Sequence, residues 1–217
     1  PPRTAATNTL LYTPWSCNLS EISARYRIVM RGARIATFSI VATDRNTGDI
    51  GVATASRYVA VGSLVPHVKA GVAAVATQSV AHPSLAGSLL DLLSTNRDTP
   101  QHTLEAVLAE DSHRDSRQVA VVTAEGRTAT FTGSGCTAYA GALTEDDVVC
   151  IGNTLAGPRV LEAMLDGFFG TSGRLWDRLL IALDRGDAAG GDTRGKQAAA
   201  LRVHRVGGGY RGSGEVA

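Results

Sequence analysis

The stretch Thr37–Ser79 constrains this chain most, because it holds two runs of alternating apolar and polar residues around a six-residue turn. An alternation of period two sends successive side chains to opposite faces of a sheet. The connecting Asp44-Arg45-Asn46-Thr47-Gly48-Asp49 is built from turn-forming residues, so the runs predict an antiparallel hairpin. A glycine-rich loop over residues 58–70 and a third strand from about Gly71 to Gln78 are expected next.

Beyond it, Pro83 and Ser84 open a helix with Leu85, Leu89, Leu92 and Leu93 on one side. Thr99-Pro100 reads as the N-cap and first position of another helix. Gln118–Val122 and Thr128–Thr132 form a hairpin around Ala124-Glu125-Gly126-Arg127, and Val148–Ile151 is a further short strand. Pro158 starts an amphipathic helix; a second, from Leu175, is expected to stop at Gly186. A glycine-rich loop then leads to a last strand over about 197–206. Helix pairs segregated between groups of antiparallel strands predict an α+β fold. Two sheets packed face to face, with helices outside each, bury every apolar face in a four-layer αββα sandwich.

With 217 residues the chain suits one domain. A net charge of +1 and 5% aromatic content give no reason to expect nucleic-acid binding. No apolar run reaches membrane-spanning length, so no membrane partner is expected. Cys17, Cys136 and Cys150 lack paired spacing, which argues against a disulfide framework or zinc site and for a reducing, cytoplasmic setting. The five histidines form no i,i+4 pair, so no metal is expected, and no motif calls for an organic cofactor. Residues 1–36 are expected to be an N-terminal extension, disordered or the product of a mis-assigned start. The domain is placed at 37–210, with 211–217 as a C-terminal remnant.

Ordered pieces over roughly 170 residues carry a family resemblance. They include Thr37-Phe38-Ser39-Ile40-Val41-Ala42, Gly51-Val52-Ala53, Val61-Gly62-Ser63, Ala76-Thr77-Gln78 and Arg117-Gln118-Val119. Further along stand Gly135-Cys136, Gly152-Asn153-Thr154-Leu155-Ala156-Gly157 and Ala189-Gly190-Gly191-Asp192-Thr193-Arg194-Gly195-Lys196-Gln197. With these the chain resembles the bacterial and archaeal family labelled domain of unknown function 1028. The resemblance implies the N-terminal nucleophile (Ntn) hydrolase superfamily, its αββα sandwich and a threonine nucleophile. It also implies a further C-terminal strand and helix, which this chain is expected to lack. A homodimer is an expectation by fold-level analogy.

Freed at its α-amine, Thr37 would combine nucleophile and base in one residue, the amine accepting the hydroxyl proton near neutral pH. The plainer reading is a β-branched strand residue. Asn153 can donate to an oxyanion or occupy a turn with left-handed backbone. Ser56 and Arg57 close the second strand beside Thr37; Arg57 can grip a substrate carboxylate or simply be solvated. Gln78 can line the cleft or satisfy loop backbone. Asp192 and Arg194 can fix Thr37's amine or a substrate group, or pair with each other. Cys136 is a competing nucleophile without an evident histidine partner. The expected activity is a threonine-dependent amidohydrolase acting on a small molecule or short peptide. The alternative is a non-catalytic binding or scaffold protein in which Thr37 is never exposed.

Overall fold

The two alternating runs pair as predicted in the computed structural model, which describes residues 37–95 and 98–217. Strand β1 (Thr37–Asp44) and strand β2 (Asp49–Ser56) run antiparallel, Thr37 opposite Ser56 and Asp44 opposite Asp49. In the turn, Gly48 N–H donates to Asp44 O at 2.8 Å and Asn46 N–H to Asp44 Oδ1 at 3.0 Å. Gly48 has φ of 75°, a left-handed backbone that favours glycine.

Then follow α1 (Val61–Leu64), β3 (Pro66–Lys69), β4 (Ala73–Ser79), α2 (Pro83–Thr95) and α3 (Pro100–Ala109). The Thr99 hydroxyl caps α3 by accepting from His102 N–H, as the sequence predicts. A short 3₁₀ turn leads to β5 (Arg117–Thr123), β6 (Thr128–Thr132), β7 (Gly141–Glu145) and β8 (Val148–Asn153). Helices α4 (Arg159–Phe169) and α5 (Leu175–Ala188) precede β9 (Ala198–His204). One sheet has the order β7-β8-β1-β2-β9 and the other β3-β4-β5-β6. Every pairing within them is antiparallel. The described residues thus form a mixed α/β structure of two antiparallel sheets and five helices. None of these helices is long and apolar enough to cross a membrane.

Three expectations need correction. The loop expected at 58–70 contains α1 with β3, and the stretch between Thr132 and Val148, to which no element was assigned, contains β7. Both strands are short sheet edges, too brief to show alternation, and Pro66 sits at the start of its strand where its missing N–H is tolerated. The third strand begins at Ala73 rather than Gly71. Helix α5 also runs through Gly186. A Cβ there would lie 2.5 Å from Met164 Cγ of α4, and one on Gly167 would lie 2.7 Å from Arg185 Cγ. These glycines let the two helices approach. The expected N-terminal extension lies outside the described residues. At the other end the chain turns back after β9, Val216 N–H donating to Val203 O at 2.7 Å.

Both faces of β1 and β2 are buried, against different partners. Phe38, Ile40, Ala42, Ala53 and Ala55 pack with Val160, Leu161, Met164, Phe168, Leu175 and Leu179 of α4 and α5. Val41, Ile50, Val52, Val149 and Ile151 join Ala74, Ala76, Ala120 and Val122 of the second sheet. The opposite side of that sheet packs Val75, Val119 and Val121 against Leu85 and Leu89 of α2 and Leu104 and Leu108 of α3.

An ion pair ties the end of α3 to β5. Arg117 Nε donates to Asp111 Oδ2 at 2.7 Å and its Nη1 to Val80 O at 2.8 Å. The two side chains are only 8% and 10% exposed, so the pair is largely desolvated. The Arg117 hydrogen bond holds the Asp111 carboxyl down to about 2. A depressed folded-state pKa contributes stability that is complete above the unfolded value of 3.8 and lost as pH falls towards about 2. Roughly 2 kcal/mol should disappear in that window, measurable by denaturant titration. Asp111→Ala should remove that acid-dependent component and cost about 3–5 kcal/mol at neutral pH, because it strands a buried guanidinium. Gly186→Ala should lower stability by about 1–3 kcal/mol in the same assay, by forcing α4 and α5 apart.

Candidate active site

The face of each sheet that meets the other changes from apolar to polar along its length. Strand register brings Ser56, Thr37 and Asn153 into one row across β2, β1 and β8. In the second sheet Gln78 of β4 stands opposite Gln118 of β5. Two residues further in lie Thr54, Ser39 and Ile151, with Ala76 opposite Ala120. The next step reaches Val52, Val41 and Val149, with Ala74 opposite Val122. Six strands, β6 included through Thr132 opposite Gln118, thus carry amides or hydroxyls at one end of a layer whose apolar cluster is mostly valine, isoleucine and alanine.

These groups hydrogen-bond to one another. Thr37 Oγ1 donates to Ser56 Oγ at 3.2 Å, and Ser56 Oγ also accepts Tyr58 N–H at 3.1 Å. Ser39 Oγ lies 2.8 Å from Thr54 Oγ1 and 2.6 Å from Gln78 Oε1. Gln78 Nε2 donates to the Thr37 carbonyl at 3.0 Å and to Gln118 Oε1 at 2.9 Å. The same Gln118 oxygen accepts Asn153 Nδ2 at 3.1 Å, while Gln118 Nε2 lies 2.8 Å from Gly152 O. Thr37, Ser39, Thr54, Ser56, Gln78, Gln118 and Asn153 are all buried. Burial of unpaired amides would be costly, so the network's mutual satisfaction is what permits it.

Four of the sequence-predicted site residues, Thr37, Ser56, Gln78 and Asn153, meet in this network. Arg57 and Asp192 lie in its surroundings, on the loop side. Arg57 is exposed, its Nη1 donating to Arg194 O at 3.0 Å. The buried Asp192 carboxylate pairs with Arg194, whose Nη2 and Nε approach to 2.9 and 3.1 Å. Their segment spans the end of β1: Thr193 N–H donates to Thr154 O at 3.1 Å, and Gln197 N–H to Ser56 O at 2.8 Å.

Asn153 is the last residue of β8, and the left-handed backbone that was one of its two alternatives belongs instead to Thr154, with φ of 55°. Such a conformation in a β-branched residue costs about 1–3 kcal/mol and is held here by Thr154 N–H donating to Thr137 O at 2.8 Å. Sequence reasoning missed Gln118, Ser39 and Thr54. Their signal was phase: each occupies a position where the alternation calls for an inter-sheet apolar side chain.

Cys136, the competing nucleophile, and Cys150 are placed differently. Cys136 Sγ donates to Arg117 O at 3.4 Å. Burial pushes the Cys150 thiol far above its ordinary range, which suits a packing role. Among the described residues no group of three or more His, Cys, Asp or Glu side chains is arranged to hold a metal ion. A cleft of about 630 Å³, lined by Leu85, Ser88, Val107 and Arg117 among others, opens on the helix side of the second sheet, away from the inter-sheet network.

The network can orient a hydroxyl and offer amide donors. Every side chain named in it is uncharged near neutral pH, so any proton acceptor for the Thr37 hydroxyl must come from another group.

Residues 37–214 match the family described as "Family of unknown function (DUF1028)". A similar solved structure is the crystal structure of protein SPO2555 from Silicibacter pomeroyi, described with the same family. Its sequence is 31% identical, with a TM-score of 0.75, over 79% of this chain and 74% of that one. No curated protein matches. With the family matched over residues 37–214 and a solved member 31% identical across most of both chains, the chain belongs to the DUF1028 family.

Proposed function

We propose that the chain is a threonine-dependent amidohydrolase of the N-terminal nucleophile type, cleaving a small amide or peptide-like bond. The observation that carries this reading is the placement of Thr37. It begins the central strand of its sheet, with its hydroxyl buried between the sheets and with Ser56 and Asn153 on the neighbouring strands. The three cores, helices on sheet, sheet on sheet and sheet on helices, support a four-layer αββα sandwich.

In this reading, cleavage after Ala36 gives Thr37 a free α-amine with an ordinary pKa near ~8. The neutral amine takes the hydroxyl proton as Oγ1 attacks the substrate carbonyl carbon. The carbonyl π electrons move to oxygen, and Asn153 Nδ2 donates to the resulting oxyanion. One Nδ2 hydrogen is engaged with Gln118, leaving the second for this task. Collapse breaks the C–N bond, and the departing amine takes the proton held by the Thr37 ammonium. Water then attacks the ester, giving its proton to the amine, and the acid leaves as the hydroxyl is restored. Arg57, exposed and steadied by the Arg194 carbonyl, suits a carboxylate on a small-molecule or short-peptide substrate. Asp192 shapes the same loop through Arg194.

The intact mass of protein expressed from Met30 tests the reading. The expected species starts at Thr37 and gains the mass of one β-lactone probe, ring opening transferring the acyl group to Oγ1. Thr37→Ala should abolish that adduct while costing only about 1 kcal/mol of stability. A chain that keeps residues 31–36 and takes no adduct would support a non-catalytic binding protein instead.

A further inference from the structure

We propose that Gln118 is a positioning residue that fixes, through one side-chain oxygen, both the amide gripping Thr37 and the amide of Asn153. The inference rests on the nucleophile and oxyanion roles proposed above for those two residues. Gln118 Oε1 accepts Gln78 Nε2 at 2.9 Å and Asn153 Nδ2 at 3.1 Å. Gln78 Nε2 is also the donor to the Thr37 carbonyl, at 3.0 Å. One acceptor therefore sets the orientation of two amides, one on each sheet.

The other end of Gln118 is also held. Its Nε2 lies 2.8 Å from Gly152 O, 3.1 Å from Gly141 O and 3.1 Å from Thr132 Oγ1. Acceptors at Nε2 and donors at Oε1 fix which way the amide is turned. Gly152 directly precedes Asn153, so Gln118 touches both the backbone and the side chain that aim the Asn153 donor. The direction of that donor matters because an oxyanion contact works only when aimed in advance at the position the charge will occupy. An ionised carboxylate or an apolar side chain at 118 cannot serve both ends: the site needs an acceptor and a donor on one planar group.

Gln118→Glu separates this role from space filling. The carboxyl keeps an acceptor for Gln78 and Asn153, but it can face Gly152 O only while protonated. From the packed elements it meets Gln78 of β4, Thr132 of β6, Gly141 of β7, and Gly152 and Asn153 of β8, and none of these carries a titratable side chain. The charged neighbour on its own strand, Arg117, faces the helix side and pairs with Asp111. Ionisation of the introduced carboxyl would set a negative charge against carbonyl oxygens in a dry layer, so its pKa should rise and the two amides should lose their places when it ionises.

The test is nitrogen-15 NMR of the side-chain amides, with the β-lactone reaction of a chain starting at Thr37 as a second readout. In the wild-type protein the Asn153 side-chain amide hydrogen bonded to Gln118 should exchange with solvent at least ~100-fold more slowly than that of a free amide, because it is buried and bonded. An unprotected Asn153 amide there overturns the proposal without any variant having to fold. In Gln118→Glu the Asn153 and Gln78 signals should match wild type at low pH and move together in one step between about pH 5 and about pH 9. Acylation of Thr37 should fall at least ~10-fold relative to wild type across that same step. Signals that never move, or acylation that follows wild type at every pH, overturn the positioning role. A wild-type chain that is never acylated sinks the nucleophile reading instead, while the NMR step still decides whether Gln118 positions Asn153.

Discussion

The hydrogen bonds among Gln78, Gln118, Asn153 and the Thr37 carbonyl are the constraint around which the two sheets are arranged. Apolar contact between the sheets is tolerant of small shifts, because valine and alanine pack without direction. Amides buried in the same layer are not: each needs a partner within hydrogen-bond reach and angle. A typical hydrogen bond contributes a net ~1 kcal/mol, but leaving a buried group unmade costs about 1–3 kcal/mol. The network therefore acts mainly by penalising every arrangement of the sheets except the one in which all partners meet.

That arrangement also explains why hydroxyls and amides sit at one end of the layer. The opposite end is filled by Val41, Ile50, Val52, Ala74 and Val122, which hold the sheets together without orientation. Separating the two jobs along the strands lets the apolar end supply cohesion while the polar end supplies geometry. Strand β1 runs through both, and its first residue is the one on which the proposed chemistry turns. Membership of a family of unknown function supplies no substrate, so the substrate class has to be argued from the rim. There Arg57 is exposed, whereas Arg194 is already matched by Asp192.

Much of this was legible in the sequence. The hairpin of β1 and β2, the Thr99 cap and the amphipathic α4 and α5 carry strong local signals, and the structure has all of them. Strands β3 and β7 were not legible: four or five residues at a sheet edge are fixed by pairing with a neighbour, not by a pattern of their own. Gly186 misled for a related reason, since a glycine that ends a helix and one that admits a neighbouring helix look alike in one dimension. Thr37, Ser56, Gln78 and Asn153 were legible because they stand at strand ends beside recognisable motifs. Gln118 was not, because it is the second residue of its strand and its role depends on side chains 35 and 40 positions away in sequence.

The consecutive pair Arg117 and Gln118 has a consequence for folding. Arg117 points to the helices and meets Asp111, while Gln118 points between the sheets and meets Asn153. Slippage of β5 by one residue would exchange the two faces, driving a guanidinium into the amide layer and leaving Asp111 with an uncharged neighbour. Both errors are penalised at once, from opposite sides of one strand. Two adjacent residues thus act as a check on strand alignment, adding a polar penalty for misregister to the one that the strand's apolar residues already carry.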